Sequence, residues 1–303
     1  MFASLTSLSY HRERTMTSTQ LRTGIPRIDE LDQLKQAETY RGPSDFNTAF
    51  LRRHHDALKG YGKHWGNDPF KLWSRRWEYP FVAQRILDFA QRPENIGRRL
   101  TVMDAGSGVT FFPYYICEKV PSAQFVCVDY DPTYTPMFDA INRTEPSPRV
   151  RFVRASLQKL PLRDGELDAI ACISVLEHTD NYGQIIDEFL RVLRPGGLFV
   201  LTFDVSLDGK FTLPIPQAQE LLQTVRGKFQ VDDGRDLVSE LSHAQDAGVL
   251  TSDHVRQTEP ELLPWTFPVR VYKAAHDLMT GKGWTAGFRS RTIFCCSVTK
   301  PAT

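Results

Sequence analysis

Charge of one sign is what this sequence most plainly lacks. Its 303 residues carry 37 Lys and Arg against 36 Asp and Glu, a formal +1 at pH 7. Nucleic-acid binders neutralise phosphates with a basic excess or stripe, so no nucleic-acid partner is expected. The same balance excludes an acidic disordered tail as the main feature. Long hydrophobic runs are missing too. A spanning helix needs about 18 or more apolar residues, and the best run, Leu167 to Leu176, contains Asp168 and Ser174. No membrane partner is expected. Cysteine is sparse: Cys117, Cys127, Cys172, Cys295 and Cys296 form no C-x-x-C pair. Most lie in apolar runs, which reads as buried thiols in a reducing compartment. Residues 1–20 are rich in Ser, Thr and Arg and have no apolar core of the secretory kind. They read as a disordered tail, with Met16 as an alternative start, and the protein is expected to be cytoplasmic.

What is present is globular. Hydrophobic residues at 41% and charged residues at 24% suit a buried core. At about 150 residues per domain, the length fits one enlarged domain or a domain with a cap. Residues 27–60 and 68–92 carry apolar positions at helical spacing, such as Ile28, Leu31 and Leu34, then Phe81, Val82, Ile86 and Leu87. Gly60, Gly62, Gly66 and Pro69 break the stretch between them. Residues 21–99 are therefore expected to form a helical cap rich in aromatics. From Leu100 the pattern switches. LTVMDA, QFVCVDY, VRFVRA, LDAIACISV and LFVLTFDV read as strands, separated by helical stretches at Phe111–Val120, Thr135–Asn142 and Asn181–Leu193. Near-continuous apolar strands alternating with helices imply a parallel sheet covered on both faces, a doubly wound α/β domain over 100–303. Arg194-Pro195-Gly196-Gly197 reads as a helix stop. Beyond Asp204, Pro216–Val225 reads as helix, 228–231 as a short strand, Val269–Met279 as helix and 291–299 as a final strand. An insert at about 232–288 lies before that strand.

The first strand runs into Asp104-Ala105-Gly106-Ser107-Gly108. Glycines there let the backbone turn tightly and let a ligand approach main-chain N–H groups, although a turn alone also favours glycine. A dinucleotide fingerprint needs a third glycine at position 111, which is phenylalanine, and no Gly-Lys-Ser/Thr of a P-loop follows. Asp129 ends the second strand, 23 residues after Gly106. A carboxylate at that place can accept both hydroxyls of a ribose lying across the strand ends.

Asp104-x-Gly106-x-Gly108, VDYD at 128–131, KLPLRDGELDAI at 159–170, ISVLEH at 173–178 and LRPGG at 193–197 follow in order. This series resembles the class I S-adenosylmethionine-dependent methyltransferases, closest to the small-molecule, type 11-like group. The resemblance implies a Rossmann-like, mainly parallel seven-stranded sheet whose last strand, at 291–299, runs antiparallel. It implies S-adenosylmethionine as cofactor. Gly106 and Gly108 would lie under its methionine part and Asp104 near its ammonium. Asp129 would take the ribose hydroxyls, and Tyr130 would pack on the adenine. Ser156-Leu157 falls where the family often has an aspartate reaching the adenine, and Ile173 would face the cofactor through its main chain. The run Ser74 to Pro80 resembles an element that closes over the cofactor in some members. There Arg76 could pair the methionine carboxylate and Trp77 could cover the sulfonium.

Methyl transfer from a sulfonium has a good leaving group, so positioning and water exclusion dominate, and a base is needed only where the acceptor must lose a proton. His178 is the candidate base. Some relatives bind magnesium through Glu-x-x-Glu-His; here the first position is Ser174, and no metal is expected. Tyr182, Asp204, Asp253, His254 and Trp265 are candidate acceptor-side residues, since loops at strand ends select substrates. The acceptor is expected to be a small molecule methylated on O, N or S, such as an amino acid or a thioether like methionine. A homodimer is left open. Two other readings stay open: a catalytically relict, cofactor-binding regulatory protein, and a nicotinamide-dependent oxidoreductase.

Overall fold

The computed structural model describes residues 20–61, 67–145, 148–210, 213–264, 269–281 and 288–302. Three helices come first: α1 (Ile28–Leu34), α2 (Glu38–Arg53) and α3 (Arg75–Ala90). Then β1 (Leu100–Ala105), α4 (Phe112–Lys119), β2 (Ala123–Asp129), α5 (Thr135–Asn142) and β3 (Val150–Arg154) alternate. After them come β4 (Leu167–Ile173), α6 (Tyr182–Val192), β5 (Leu193–Ser206), the two-residue β6 (Leu213–Pro214), α7 (Ile215–Lys228) and β7 (Gln230–Val231). The chain closes with α8 (Leu237–Ser242), α9 (Ser252–Thr258), α10 (Val269–Met279) and β8 (Arg291–Thr299).

The main path of the sheet is β3-β2-β1-β4-β5-β8-β7, with β6 paired to the side of β5. Seven strands on one path match the sequence expectation, and β6 is an eighth, paired in parallel at Val205 and Ser206. β1 to β5 run parallel. β8 runs antiparallel to β5, with Phe203 opposite Phe294 and Ser206 opposite Arg291. This is the Rossmann-like methyltransferase fold, a mostly parallel sheet with helices on both faces. Alternation along the strands explains the two layers. Val102, Phe125, Ala169, Val200 and Cys295 point to the side of α3 and α4. Their neighbours Met103, Val126, Ile170, Leu201 and Phe294 point to the side of α6, α7 and α8. Period-two side-chain direction makes each strand apolar throughout, because both faces are covered.

Two local features differ from the sequence reading. α3 lies directly on the sheet, against β4, β5 and β8, with Phe81, Val82 and Ile86 buried. The Arg194–Gly197 segment does not precede the strand but lies inside it. Between Leu167↔Leu193 and Ala169↔Leu198 the register of β5 jumps, which absorbs the turn residues as a bulge. Gly196, at φ +71, takes the left-handed backbone this needs, and its N–H donates to the Lys300 carbonyl at 2.9 Å. Residues 1–19, the bulk of the expected tail, lie outside the described residues. No helix among the described residues is long and apolar enough to cross a membrane.

Asp168 joins the strand starts on the edge opposite the glycine loop. Its Oδ1 accepts from Arg194 Nε at 2.7 Å and Arg98 Nη2 at 3.2 Å, while Oδ2 accepts from the Thr101 N–H at 2.8 Å. Arg194 and Arg98 are partly exposed, so water meets part of their need once the acid is gone. Asp168→Ala is expected to lower unfolding stability by about 1–2 kcal/mol, read as a reduced urea midpoint at unchanged slope.

Candidate functional site

The carboxyl ends of β1, β2 and β4 open onto a cavity of about 760 Å³. Its floor is the loop after β1. Gly106 (φ +65) and Gly108 (φ +51) both adopt left-handed backbone. A Cβ on Gly106 would stand 2.6 Å from Val175 Cγ2, and one on Gly108 would stand 2.2 Å from the Tyr61 hydroxyl. Glycine is therefore required twice over, by conformation and by close approach. Phe111, where a dinucleotide loop would have glycine, is a core ring that packs against Tyr79 at 5.0 Å.

Asp129 is fixed beside this loop. Oδ2 accepts from the Gly108 N–H at 3.1 Å, and Oδ1 accepts from the Asp131 N–H at 3.2 Å. Each oxygen keeps a lone-pair direction for a further donor. Tyr130, 79% exposed, Ser156, Leu157 and Ile173 complete this half of the wall. Asp104 stands behind the loop, 4% exposed, and no ion pair to it is found among the described residues. Burial, with Asp129 adding, pushes its carboxyl up to about 8.

The other half of the wall is built around a buried carboxylate. Glu78 on α3 is fully buried, and its Oε1 accepts from Ser174 Oγ and Thr202 Oγ1, both at 2.6 Å. Arg75 pairs with its Oε2 and also donates to Ser174 Oγ. Burial would raise the Glu78 carboxyl, but Arg75 and the two hydroxyl donors outweigh it and hold it below the usual carboxylate range. Ser174, at φ 50, is the only non-glycine with positive φ among the described residues. Beside it, the Asp204 N–H donates to Glu177 Oε1 at 3.0 Å, and Arg291 Nη1 pairs with Asp204 Oδ2 at 2.5 Å. Glu177 Oε2 and Asp204 Oδ1 are buried with no hydrogen-bond partner among the described residues. Burial, then the Asp204 charge, drives Glu177 up to about 8. His178 faces the cavity and titrates below its ordinary value. Desolvation is the main cause, Arg75 and Arg291 add to it, and Asp204 opposes them.

The structure thus gathers Gly106, Gly108, Asp129, Tyr130, Ser156, Leu157, Ile173, His178 and Asp204 around one cavity. Asp104, Arg76 and Trp77 do not line it; Asp104 is buried behind the glycine loop. Successive helical residues point about 100° apart, so Arg76 turns to Glu259 Oε2 (2.6 Å) and the Phe70 carbonyl (3.0 Å). Trp77 is buried in the core, 1% exposed. Ser74, Arg75 and Tyr79 are the residues of that segment that line the cavity, with Trp73 just before it. Tyr182 lies off the wall, bonded to Glu220. Asp253 accepts from Ser290 Oγ, and His254 sits in α9; neither lines the cavity. Trp265 lies outside the described residues. Arg75, Glu78, Thr202 and Arg291 carried no signal in the sequence beyond the three-residue spacing of Arg75 and Glu78.

The raised carboxyls set a pH dependence for stability. Unfolded, Glu177 and Asp104 lose their protons near 4.5 and 3.8; folded, they keep them to about 8. Between these values the folded chain binds more protons, so stability is greatest at the acid end and falls as pH rises to about 8. Urea midpoints should therefore drop from pH 5.5 to pH 8. Glu177→Gln, neutral throughout, should shrink the drop.

Residues 103–201 match the methyltransferase domain family. An uncharacterized methyltransferase of Mycobacteroides abscessus is 33% identical over 123 residues, 40% of this chain and 47% of that protein. One from Mycolicibacterium gilvum is 39% identical over 110 residues, 36% of this chain and 41% of that protein. The chain thus spans less than half the length of these curated relatives. Among solved structures, the [4+2]-cyclase SpnF aligns over 93% of this chain and all of its own, at 20% identity and TM-score 0.47. A putative sarcosine dimethylglycine methyltransferase from Galdieria sulphuraria aligns over 74% of this chain and 85% of its own, at 13% identity and TM-score 0.48. The matched stretch, residues 103–201, spans the glycine loop, Asp129 and the Leu-Glu-His turn, so this part of the chain is similar to methyltransferase domains.

Proposed function

We propose that the protein moves the methyl group of S-adenosylmethionine to an oxygen, nitrogen or sulfur of a small-molecule acceptor. The observation that carries this reading is the pairing of two left-handed glycines with Asp129 on the wall of one cavity. Its volume of about 760 Å³ lies within the usual range for small-ligand sites. The residues present fit the cofactor. Val175 and Tyr61 already fill the room a Cβ would need at Gly106 and Gly108, and the two left-handed glycines turn the loop along the cavity floor where a ligand can meet its main chain. Asp129, already oriented by the Gly108 N–H, accepts the ribose hydroxyls. Tyr130 packs on the adenine, Ser156 and Leu157 border it, and Ile173 presents its main chain. Asp104 supplies a buried carboxyl for the ammonium of the methionine part.

When bound, the cofactor supplies an electrophilic methyl group on a sulfonium. The protein's part is to align the acceptor with that methyl and exclude water. The aromatic wall of Tyr61, Trp73, Tyr79 and Tyr134 suits both tasks. His178 is the proposed proton acceptor: its lowered basicity keeps it neutral and ready at pH 7. The buried ring of Phe111, in place of a third glycine, disfavours a nicotinamide dinucleotide.

Calorimetry with S-adenosylhomocysteine tests the cofactor half. Asp104, protonated in the free chain at pH 7, must ionise to meet an ammonium, so binding should release a proton and the heat should vary with buffer ionisation enthalpy. Asp104→Asn should abolish that release, and Asp129→Ala should weaken binding by about tenfold or more, the loss of a charged hydrogen-bond acceptor. Failure of S-adenosylhomocysteine to bind, with NAD binding instead, would sink the reading. Turnover of tritiated cofactor over a panel of metabolites tests the other half; binding without turnover on any acceptor would indicate a relict.

A further inference from the structure

The methyltransferase reading leaves the acceptor open among oxygen, nitrogen and sulfur, and the far wall of the cavity narrows it. Four ionisable side chains line that wall from four elements: Arg75 on α3, His178 after β4, Asp204 on β5 and Arg291 at the start of β8. The two acids that balance the arginines are placed unequally. Glu78 is fully buried behind Arg75 and does not reach the cavity, so the guanidinium is what an acceptor meets. Asp204 faces the cavity, with Oδ2 held by Arg291 and Oδ1 buried without a partner among the described residues.

We infer that the acceptor is an uncharged molecule methylated on an acidic hydroxyl, a phenol or enol, whose oxygen becomes anionic between Arg75 and Arg291. This rests on the methyltransferase reading and deepens it. The hydroxyl proton passes to a ring nitrogen of His178. An oxygen–carbon bond forms to the methyl group as the carbon–sulfur bond breaks, and that bond's electron pair stays on sulfur as a neutral thioether. Asp204 steadies the imidazolium, and the proton leaves to solvent. Burial, with Arg75 and Arg291 adding to it and Asp204 opposing, lowers the basicity of the ring beforehand, and Asp204 accommodates its charge afterwards. Glu177, next in sequence, stays protonated below about 8 and adds no negative charge at pH 7. An ammonium acceptor would instead approach the Arg75 guanidinium and a sulfonium together, with the charge of Arg291 offset by its pairing with Asp204, and the like charges would repel. A developing oxyanion meets the reverse field, and preoriented positive groups in such a site stabilise it most.

The test uses the full chain saturated with S-adenosylhomocysteine and the chromogenic probe 4-nitrophenol, whose ionised form absorbs in the visible. Bound probe should ionise at least one pH unit below free probe, about a tenfold shift in its ionisation constant. The cation 4-nitrobenzylammonium, of similar size, should bind at least tenfold more weakly. An Arg291→Gln chain that is folded by circular dichroism should lose most of the shift; if it does not fold, the wild-type titration decides alone. Bound 4-nitrophenol that ionises as in free solution, no binding of it to the saturated chain, or tighter binding of the cation overturns the inference and leaves the cofactor reading intact. Failure of S-adenosylhomocysteine to bind overturns both, and calorimetry on the same sample tells the two failures apart.

Discussion

The burial of one carboxylate, Glu78, organises the site. An ionised acid away from water must be paired and hydrogen-bonded, or it neutralises or destabilises the fold. Glu78 meets that demand by drawing Arg75 from its own helix, Ser174 from the end of β4 and Thr202 from β5. The same bonds tie α3 to the sheet where the cavity opens. They hold Ser174 in a left-handed conformation that costs about 1–3 kcal/mol for a non-glycine residue. That bend starts the short turn carrying Glu177 and His178. The Arg75 guanidinium faces the cavity because Glu78 holds it from behind.

Dielectric surroundings differ along the cavity, and with them the chemistry each end supports. At the glycine-loop end Asp129 is partly exposed and accepts two main-chain N–H groups. Behind the loop and at the far wall, burial dominates. Asp104 and Glu177 are both driven to about 8, for different second reasons: the Asp129 charge in one case, the Asp204 charge in the other. One sheet edge thus holds a partly exposed carboxyl bonded to main-chain N–H groups and two buried carboxyls driven up by desolvation. Strong perturbation of titratable groups by burial clusters at functional sites.

Much of the architecture was legible in the chain because strand and helix periods are local. β1, α5, α10 and β8 begin and end at the residues the sequence pattern marks. Asp129 was legible for a related reason: a strand end and a glycine loop stand in a fixed relation once the sheet is parallel. Residues 74–80 were harder. Sequence indicates that this run could meet the cavity, but which side chain does so depends on the rotation of α3 against the sheet. A step of one residue moves the choice from Arg76 to Arg75, and the tryptophan that lines the cavity is Trp73, four residues before the buried Trp77. The Arg194–Gly197 segment reads as a turn by composition, yet pairing with β4 carries it into a strand as a bulge.

By itself the sequence determined the alternation of elements, the parallel sheet, the need for glycine at 106 and 108, and the acid at 129. These follow from propensity, period and short spacing, which neighbouring residues carry. Only the tertiary structure decided that Glu78, Thr202, Asp204 and Arg291 converge, although 213 residues separate the first from the last. Antiparallel entry of β8 beside β5 sets Arg291 opposite Ser206 and within reach of Asp204. Burial, which no residue possesses alone, then fixes which of these groups is charged.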